Sequence, residues 1–219
     1  MTQIKAILFD CDGTLLDTEH VSTAAVQGIW EKHGIRQDDE NEFIGVHTSD
    51  ILKTMNGRFG KDISMESYLE GYTDYMMKNI PIHMRILDGT RDYIRSLKDR
   101  GYKLTVGSNG TRQVVWEELK VGGLVEFFDT ILTADDVARP KPAPDMYLDG
   151  MKAVGIDDPA ACIVVEDSVT GIRAAVAAGM TAVGYLGLNP DPAALEPKLR
   201  NAGALHIVRH LQDIDLLLK

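Results

Sequence analysis

The sequence predicts an α/β protein: a doubly wound parallel sheet of the Rossmann-like kind, with a small all-helical domain inserted after the first strand. From residue 87 onward, short apolar runs alternate with amphipathic helical patterns, which is typical of a parallel sheet covered by helices on both faces. The segment between the first strand and this alternating region carries only helical patterns, so it is an insertion. We therefore expect residues 1–16 and 83–219 to form an α/β core domain and residues 17–82 to form a helical domain.

The first strand and the inserted helices are predicted from local signals. The apolar run at residues 4–9 is typical of a buried strand. Residues 19–33 carry apolar side chains at helical spacing, and Gly34 stands where a helix commonly ends. Ser49 and Ser64 suit the N-caps of two further helices, because a serine oxygen can accept a hydrogen bond from the first turn.

The remaining elements alternate between strand and helix. Thr90 and Thr111 suit helix starts, and Pro144 suits the first residue of a helix. The predicted order is helix 90–101, strand 103–107, helix 111–122, strand 130–132, helix 144–154, strand 162–165, helix 172–178, strand 180–184, a helix from Asp191-Pro192, strand 205–208 and a closing leucine-rich helix.

Polar side chains follow several of the predicted strands. In an open parallel sheet, the functional site lies beyond the carboxyl ends of the strands, so these side chains are expected to converge. They are Asp10 and Asp12 after the first strand, Ser108 and Asn109 after the second, Lys141 in the loop after the third, and Glu166 and Asp167 after a later one.

The carboxylates of this group predict a metal site. Two carboxylates about 4 Å apart repel by roughly 4 kcal/mol at an effective dielectric constant near 20, so a cation or a shared proton must relieve them. A lone Asp-x-Asp pair more often ends a strand in a polar turn. The added pair Glu166 and Asp167 favours a hard cation, most simply Mg²⁺, held by Asp10, Asp12, Glu166 and Asp167.

The other polar residues suit phosphoryl transfer. A carboxylate can attack phosphorus, and the negative charge of the phosphoryl group must then be met by cations and hydrogen-bond donors. Lys141 is the candidate cation. The hydroxyl of Ser108 and the backbone amides at Asn109 and Gly110 precede a helix start, where anions bind favourably.

Four motifs, in this order and spacing, resemble those of the haloacid dehalogenase-like (HAD) hydrolases with a small helical cap. The motifs are F-D-C-D-G-T-L at 9–15, S-N-G at 108–110, K-P-A-P-D at 141–145 and E-D-S-V-T-G at 166–171. The resemblance covers essentially the whole chain and implies that residues 17–82 form the cap domain.

The resemblance also implies roles for the site residues. Asp10 would be the nucleophile that forms a phospho-aspartate, and Asp12 would be the general acid and base. Ser108 and Lys141 would hold the phosphoryl group. The metal would be Mg²⁺, held by Asp10, the backbone carbonyl of Asp12, and Asp167 with or without Glu166. The implied activity is a phosphatase acting on a small metabolite, such as a sugar phosphate or phosphoglycolate.

Two alternatives remain open. A β-phosphoglucomutase-like mutase shares the four motifs but resembles a pattern with a cap histidine and a cap arginine. Ser22 and Thr48 stand at those positions here, unless His20 or His47 takes one of the roles. The second alternative is a catalytically silent binding protein on the same fold. Asp12 argues against dehalogenation, because only an alcohol leaving group needs such an acid.

Composition and charge limit the class of partner. The net charge is −10 and no cluster of lysine or arginine is present, so neither nucleic acid nor a membrane surface is expected as a partner. The expected partner is a small phosphorylated metabolite, bound by a monomer or weak homodimer. The two cysteines, Cys11 and Cys162, lie in apolar runs, and no signal peptide is evident; both observations favour a cytoplasmic protein.

Overall fold

The computed structural model describes residues 3–35 and 48–218, except for the side chains of residues 48–50. The chain divides into two compact units. The core unit comprises Met1–Asp17 and Arg85–Lys219, and the helical unit comprises Thr18–Met84. Over the described residues, no helix is both long and apolar enough to cross a lipid bilayer.

The core unit is built on a six-stranded sheet in which every strand pair is parallel, in the order β3-β2-β1-β4-β5-β6. This confirms the predicted doubly wound α/β class. The strands are β1 Ala6–Phe9, β2 Lys103–Gly107, β3 Thr130–Leu132, β4 Cys162–Glu166, β5 Thr181–Tyr185 and β6 His206–Val208.

Eight α-helices are present among the described residues, three in the helical unit and five in the core unit. They are α1 Glu19–Lys32, α2 Thr48–Phe59, α3 Met65–His83, α4 Thr90–Asp99, α5 Arg112–Val121, α6 Asp145–Ala153, α7 Val169–Ala177 and α8 Pro192–Ala202.

The central strand, β1, is buried on both faces. All four of its residues are shielded from solvent, which explains why its sequence is a continuous apolar run rather than an alternating one. Its neighbours are β2 on one side and β4 on the other. The order of the strands reverses at this position, and ligands bind at such a reversal in open α/β sheets.

Several local details of the core unit differ from the sequence predictions. Thr90 is the first residue of α4 and not its N-cap; the N-cap is Gly89, whose φ of +83° suits glycine because it has no Cβ. The closing leucine-rich helix is a 3₁₀ helix, Leu211–Leu217. Its buried residues Leu211 and Ile214 are three apart, which is the spacing that aligns side chains in a 3₁₀ helix.

The helical unit packs around an apolar cluster. The cluster consists of Ile29, Trp30, Ile35, Ile51, Leu52, Met55, Ile63 and Tyr68. The Trp30 and Tyr68 rings lie 5.6 Å apart between centroids. Ser64 caps α3, as predicted, by accepting a hydrogen bond from the Ser67 amide at 3.1 Å. Ser49, by contrast, lies inside α2.

Polar pairs join the helices of this unit. The Ser22 and Tyr72 hydroxyls are 3.0 Å apart, linking α1 to α3. The His20 ring contacts the backbone carbonyl of His83 at 2.8 Å, so the first and last turns of the unit are tied together. His20 therefore has a structural contact, and His47 lies outside the described residues.

Candidate active site

Three strands of the core unit end level with one another. In the parallel register, Phe9 lies opposite both Val106 and Val165, so the residues that follow β1, β2 and β4 emerge at the same edge of the sheet. The amide of Asp10 still donates to the Val165 carbonyl at 3.0 Å. The backbone of β1 therefore fixes the start of the turn that carries Asp10 and Asp12.

Lys141 bridges two carboxylates at this edge. Its Nζ donates to Asp10 Oδ1 at 2.6 Å and to Glu166 Oε1 at 2.5 Å. Lys141 is only 2% exposed, Asp10 is 8% exposed, and Glu166 is fully buried. Because burial disfavours each isolated charge, the three groups form one mutually dependent cluster.

This cluster changes the titration of its members. Burial, reinforced by the charge of Glu166, raises the pKa of Asp10 to about 8, against the lowering effect of Lys141. The pKa of Lys141 is raised well above its usual value, because attraction to Asp10 and Glu166 outweighs the effect of burial. Lys141 therefore keeps its charge, whereas burial and the charge of Glu166 oppose the ionisation of Asp10.

The backbone around Lys141 is held by Asn109. The side-chain amide of Asn109 donates to the Lys141 carbonyl at 3.0 Å and accepts from the Lys141 amide at 2.9 Å. The side chain of Asn109 thus fixes the Lys141 loop. The phosphate-binding role predicted at position 109 would come from its backbone amide.

Ser108, in the second motif, contacts Asp12 of the first. Its hydroxyl donates to Asp12 Oδ2 at 3.3 Å and accepts from the Gly110 amide at 3.0 Å. Ser108 is 1% exposed. The hydroxyl is thereby placed beside the residue predicted to be the general acid.

Three of the four predicted metal-binding side chains form one group. Asp10, Glu166 and Asp167 each offer a carboxylate oxygen, and these oxygens lie within 4.8 Å of one another. Thr14 Oγ1 donates to Asp167 Oδ1 at 3.4 Å. A Cβ at Gly13 would collide with the Asp167 carboxylate, so only glycine allows this approach. An all-oxygen, anionic group of this kind fits Mg²⁺.

The side chain of Asp12 lies in a second cluster, with Cys11 and Glu118. Alternation along a strand would place Asp10 and Asp12 on one face and Cys11 on the other. β1 ends at Phe9, so that alternation does not extend to these residues. A metal-binding role of Asp12 at the first group would fall to its backbone carbonyl, as the resemblance implies.

Glu118 is a site neighbour that the sequence analysis missed. It lies on the buried face of α5 and is fully buried; Cys11 Sγ is 3.9 Å from its Oε2. Burial, with repulsion from Asp12, raises its pKa well above the usual range. The signal that was available is the position of this glutamate among the apolar residues of an amphipathic helix.

Glu166 has a full set of hydrogen-bond donors. Its Oε1 accepts from Lys141 and from the Tyr147 hydroxyl, the latter at 2.6 Å. Its Oε2 accepts from the Ser168 amide at 3.2 Å and the Ser168 hydroxyl at 2.9 Å. A Cβ at Gly171 would overlap this carboxylate. Sequence analysis missed Tyr147, because buried aromatic residues are common in helices and carry no distinct signal.

Comparison with known proteins identifies the family. The family model described as haloacid dehalogenase-like hydrolase matches residues 7–185, which include every site residue named above. The chain belongs to this family. It is therefore an enzyme of the HAD-like hydrolases, in the phosphatase group to which several of its named relatives belong.

Individual relatives match the sequence over most of the chain. A Bacillus subtilis protein named as a phosphatase, YhcW, is 34% identical over 183 residues, covering 82% of each chain. Validoxylamine A 7'-phosphate phosphatase of Streptomyces hygroscopicus is 29% identical over 191 residues, covering 82% of this chain and 84% of its own length. The chloroplastic Arabidopsis thaliana protein Suppressor of Quenching 1 is 32% identical over 190 residues, but this match spans only 18% of its length and 83% of this chain.

A solved structure extends the likeness to nearly the full length. A haloacid dehalogenase-like protein of Agrobacterium tumefaciens superposes with a TM-score of 0.79 at 28% identity, covering 98% of this chain and 97% of its own. The HAD-like fold thus includes both the core unit and the inserted helices.

Proposed function

We propose that this HAD-like hydrolase is a magnesium-dependent phosphomonoesterase that acts on a small phosphorylated metabolite, such as a sugar phosphate or phosphoglycolate, through a phospho-aspartate at Asp10. The observation that carries the proposal is the Lys141 ammonium, held within 2.6 Å of Asp10 and 2.5 Å of Glu166 beside the acidic group. A buried cation next to a carboxylate nucleophile is what an incoming phosphoryl group requires.

In the first step, a carboxylate oxygen of Asp10 attacks phosphorus while the bond from phosphorus to the leaving oxygen breaks. The leaving oxygen takes a proton from Asp12, which follows the end of β1 two residues after Asp10. The products of this step are the free alcohol and the phospho-aspartate. Covalent catalysis of this kind divides one difficult displacement into two easier ones.

In the second step, Asp12 accepts a proton from a water molecule as that water attacks the phosphorus. The bond from phosphorus to Asp10 breaks, and inorganic phosphate leaves. Asp10 is restored as a carboxylate, and Asp12 is again protonated for the next cycle. One residue thus serves as acid and then as base, which requires a titratable side chain at position 12.

The neighbouring residues bind and orient the phosphoryl group. Lys141 offers its charge to the phosphoryl oxygens, and Ser108 offers its hydroxyl. When bound, Mg²⁺ would neutralise charge and orient the phosphoryl oxygens. The carboxylates of Asp10 and Asp167, together with the carbonyl of Asp12, would hold the ion; the oxygen group around Asp10 fits it.

Substrate selection is assigned to the helical unit, Thr18–Met84, as a cap. The proposed site residues of the core unit bind only the phosphoryl group, which all phosphomonoesters share. Selectivity for the substrate must therefore come from other parts of the chain. The Streptomyces relative is named for a phosphate ester of a small molecule, which supports a substrate of this class. The net charge of −10 means that the substrate anion must be attracted locally.

Phosphate release from p-nitrophenyl phosphate tests the proposal. We expect turnover with Mg²⁺, none with EDTA, and restoration when excess Mg²⁺ is added. A screen of sugar phosphates, phosphoglycolate and nucleotides would then identify the preferred substrate. Isomerised sugar phosphate without free phosphate would instead indicate a mutase. No metal-dependent turnover on any ester would indicate a silent binding protein.

A further inference from the structure

We propose that Tyr147 is a positioning residue of this site: its hydroxyl donates to Glu166 and thereby sets where Lys141 presents its ammonium. This inference rests on the proposed function, because it concerns how Lys141 receives a phosphoryl group. Tyr147 belongs to none of the four sequence motifs; it stands two residues after K-P-A-P-D. The catalytic steps above do not use it.

Tyr147 contacts both members of the ion pair. It lies on α6 and is fully buried. Its Oη is 2.6 Å from Glu166 Oε1, and the Lys141 Nζ lies 5.0 Å from the centroid of its ring. The ring faces the ammonium, while the hydroxyl reaches the carboxylate that binds the ammonium. One side chain therefore constrains both charged groups.

Tyr147 also belongs to an apolar core cluster. The core cluster that contains it also includes Leu8, Met151, Val164 and Ile172. Packing alone would be served by phenylalanine, which has the same ring and no hydroxyl to bury. A buried hydroxyl is retained at low cost only where it has a partner, and the partner here is Glu166.

The hydroxyl matters because Glu166 and Asp10 compete for Lys141. The two distances from Nζ are nearly equal, 2.5 Å to Glu166 and 2.6 Å to Asp10. Tyr147 satisfies part of the hydrogen-bonding capacity of Glu166 Oε1, and Ser168 satisfies Oε2. Without the Tyr147 hydroxyl, Lys141 would be the remaining donor to Glu166 Oε1 of these two. Its ammonium would then be drawn towards Glu166.

The consequence is weaker binding of the phosphoryl group. An ammonium displaced towards Glu166 lies farther from Asp10 and from any phosphate oxygen placed beside it. The same displacement affects the transition state more than the ground state, because charge on the transferring group is then largest. Removing the hydroxyl should thus lower both phosphate affinity and kcat.

The test compares Tyr147→Phe with Tyr93→Phe in the full chain. Tyr93 Oη donates to Asp215 at 3.0 Å, so the control deletes the same atom from another carboxylate partner of the core unit. Titration calorimetry with inorganic phosphate, in excess Mg²⁺, gives the phosphate Kd. A separate titration with Mg²⁺ gives the metal Kd, and p-nitrophenyl phosphate gives kcat and KM.

We expect Tyr147→Phe to raise the phosphate Kd by about three- to tenfold and to lower kcat by a similar factor. The Mg²⁺ Kd should stay within about twofold, since Asp10 and Asp167 remain in place. Tyr93→Phe should leave all of these values near those of the unsubstituted protein. Equal behaviour of the two variants, or an effect on thermal stability alone, overturns the proposal.

A second measurement covers the case in which Tyr147→Phe does not fold. A crystal structure of the unsubstituted protein with Mg²⁺ and inorganic phosphate should show Lys141 between the phosphate and Glu166, with Tyr147 still hydrogen-bonded to Glu166. A Tyr147 hydroxyl that points elsewhere in this complex overturns the proposal.

The outcomes separate this inference from the proposed function. An active enzyme in which Tyr147→Phe behaves like Tyr93→Phe disproves only the positioning role. A protein that releases no phosphate from any ester, but binds inorganic phosphate more weakly after Tyr147→Phe, disproves only the proposed function. If the unsubstituted protein neither binds inorganic phosphate nor releases it from any ester, both fail.

Discussion

The two units of this protein differ in what they bury. The core unit buries Asp10, Glu118, Lys141 and Glu166 at the carboxyl ends of its strands and beside them. In the described part of the helical unit, the buried side chains are apolar apart from Thr18, the Tyr68 hydroxyl and the indole nitrogen of Trp30. Both units contain α-helices, but all the described strands belong to the core unit, and Asp10 and Glu166 lie at the ends of two of them.

The difference separates residues kept for activity from residues kept for stability. A buried charge costs free energy unless it is paired, and even a paired one adds little net stability. An apolar cluster stabilises in proportion to the area that it removes from water. We therefore expect substitutions at the buried charges to change catalysis first and those in the apolar cluster to change unfolding first.

The largest expected effect is at the nucleophile. Asp10→Asn should lower phosphate release by about 10⁴-fold or more, because the amide cannot form the phospho-aspartate. Circular dichroism should show an unchanged fold. The exposed Asp157 offers a matched control, and Asp157→Asn should be fully active. Substantial turnover by the Asp10 variant would refute the assignment of the nucleophile.

Metal removal should have the next largest effect. Dialysis against EDTA should reduce phosphate release to background, and Mg²⁺ should restore it, because the acidic group needs a cation to accept a phosphoryl anion. The assay follows the release of p-nitrophenol with time. Unchanged turnover in EDTA would contradict a metal requirement.

Lys141→Met should affect both activity and stability. It leaves Asp10 and Glu166 buried without their cation, so the metal-free protein should lose about 3–5 kcal/mol of unfolding free energy. Part of this loss should return when Mg²⁺ is added. Urea denaturation with and without Mg²⁺ measures it. Lys152→Met, at an exposed position of α6, is the control and should change little.

Met55→Ala addresses the helical unit. Met55 is fully buried in its apolar cluster, so the truncation should cost about 2–5 kcal/mol of unfolding free energy through lost contacts and a cavity. The kcat for p-nitrophenyl phosphate, per folded molecule, should change much less than in the Lys141 variant. Met65→Ala, at a more exposed methionine, provides the comparison. A loss of activity without a loss of stability would break the contrast between the units.

The smallest effect is expected at Ser22. Ser22→Ala removes the hydroxyl that contacts the Tyr72 hydroxyl at 3.0 Å and should cost about 0.5–1.5 kcal/mol. Thermal unfolding would detect this as a small decrease in the midpoint temperature. Ser67→Ala, at an exposed position of α3, should not lower the midpoint.

Sequence alone determined the class of the fold and predicted most of the residues at the candidate site. The strands Lys103–Gly107 and Thr130–Leu132 have the predicted bounds, because each is a short apolar run between clear turn signals. The polar residues after β1, β2 and β4 were predicted to converge, and the level strand ends bring them to one edge. Local pattern and the geometry of parallel sheets were sufficient for both results.

Only the tertiary structure decided how those residues divide their contacts. It paired Lys141 with two carboxylates, placed Glu118 beside Cys11, and directed the Tyr147 hydroxyl to Glu166. Asp10 and Lys141 are 131 positions apart in the chain. No local periodicity encodes a hydrogen bond over such a separation, because it depends on the packing of side chains from elements that meet only in the folded core.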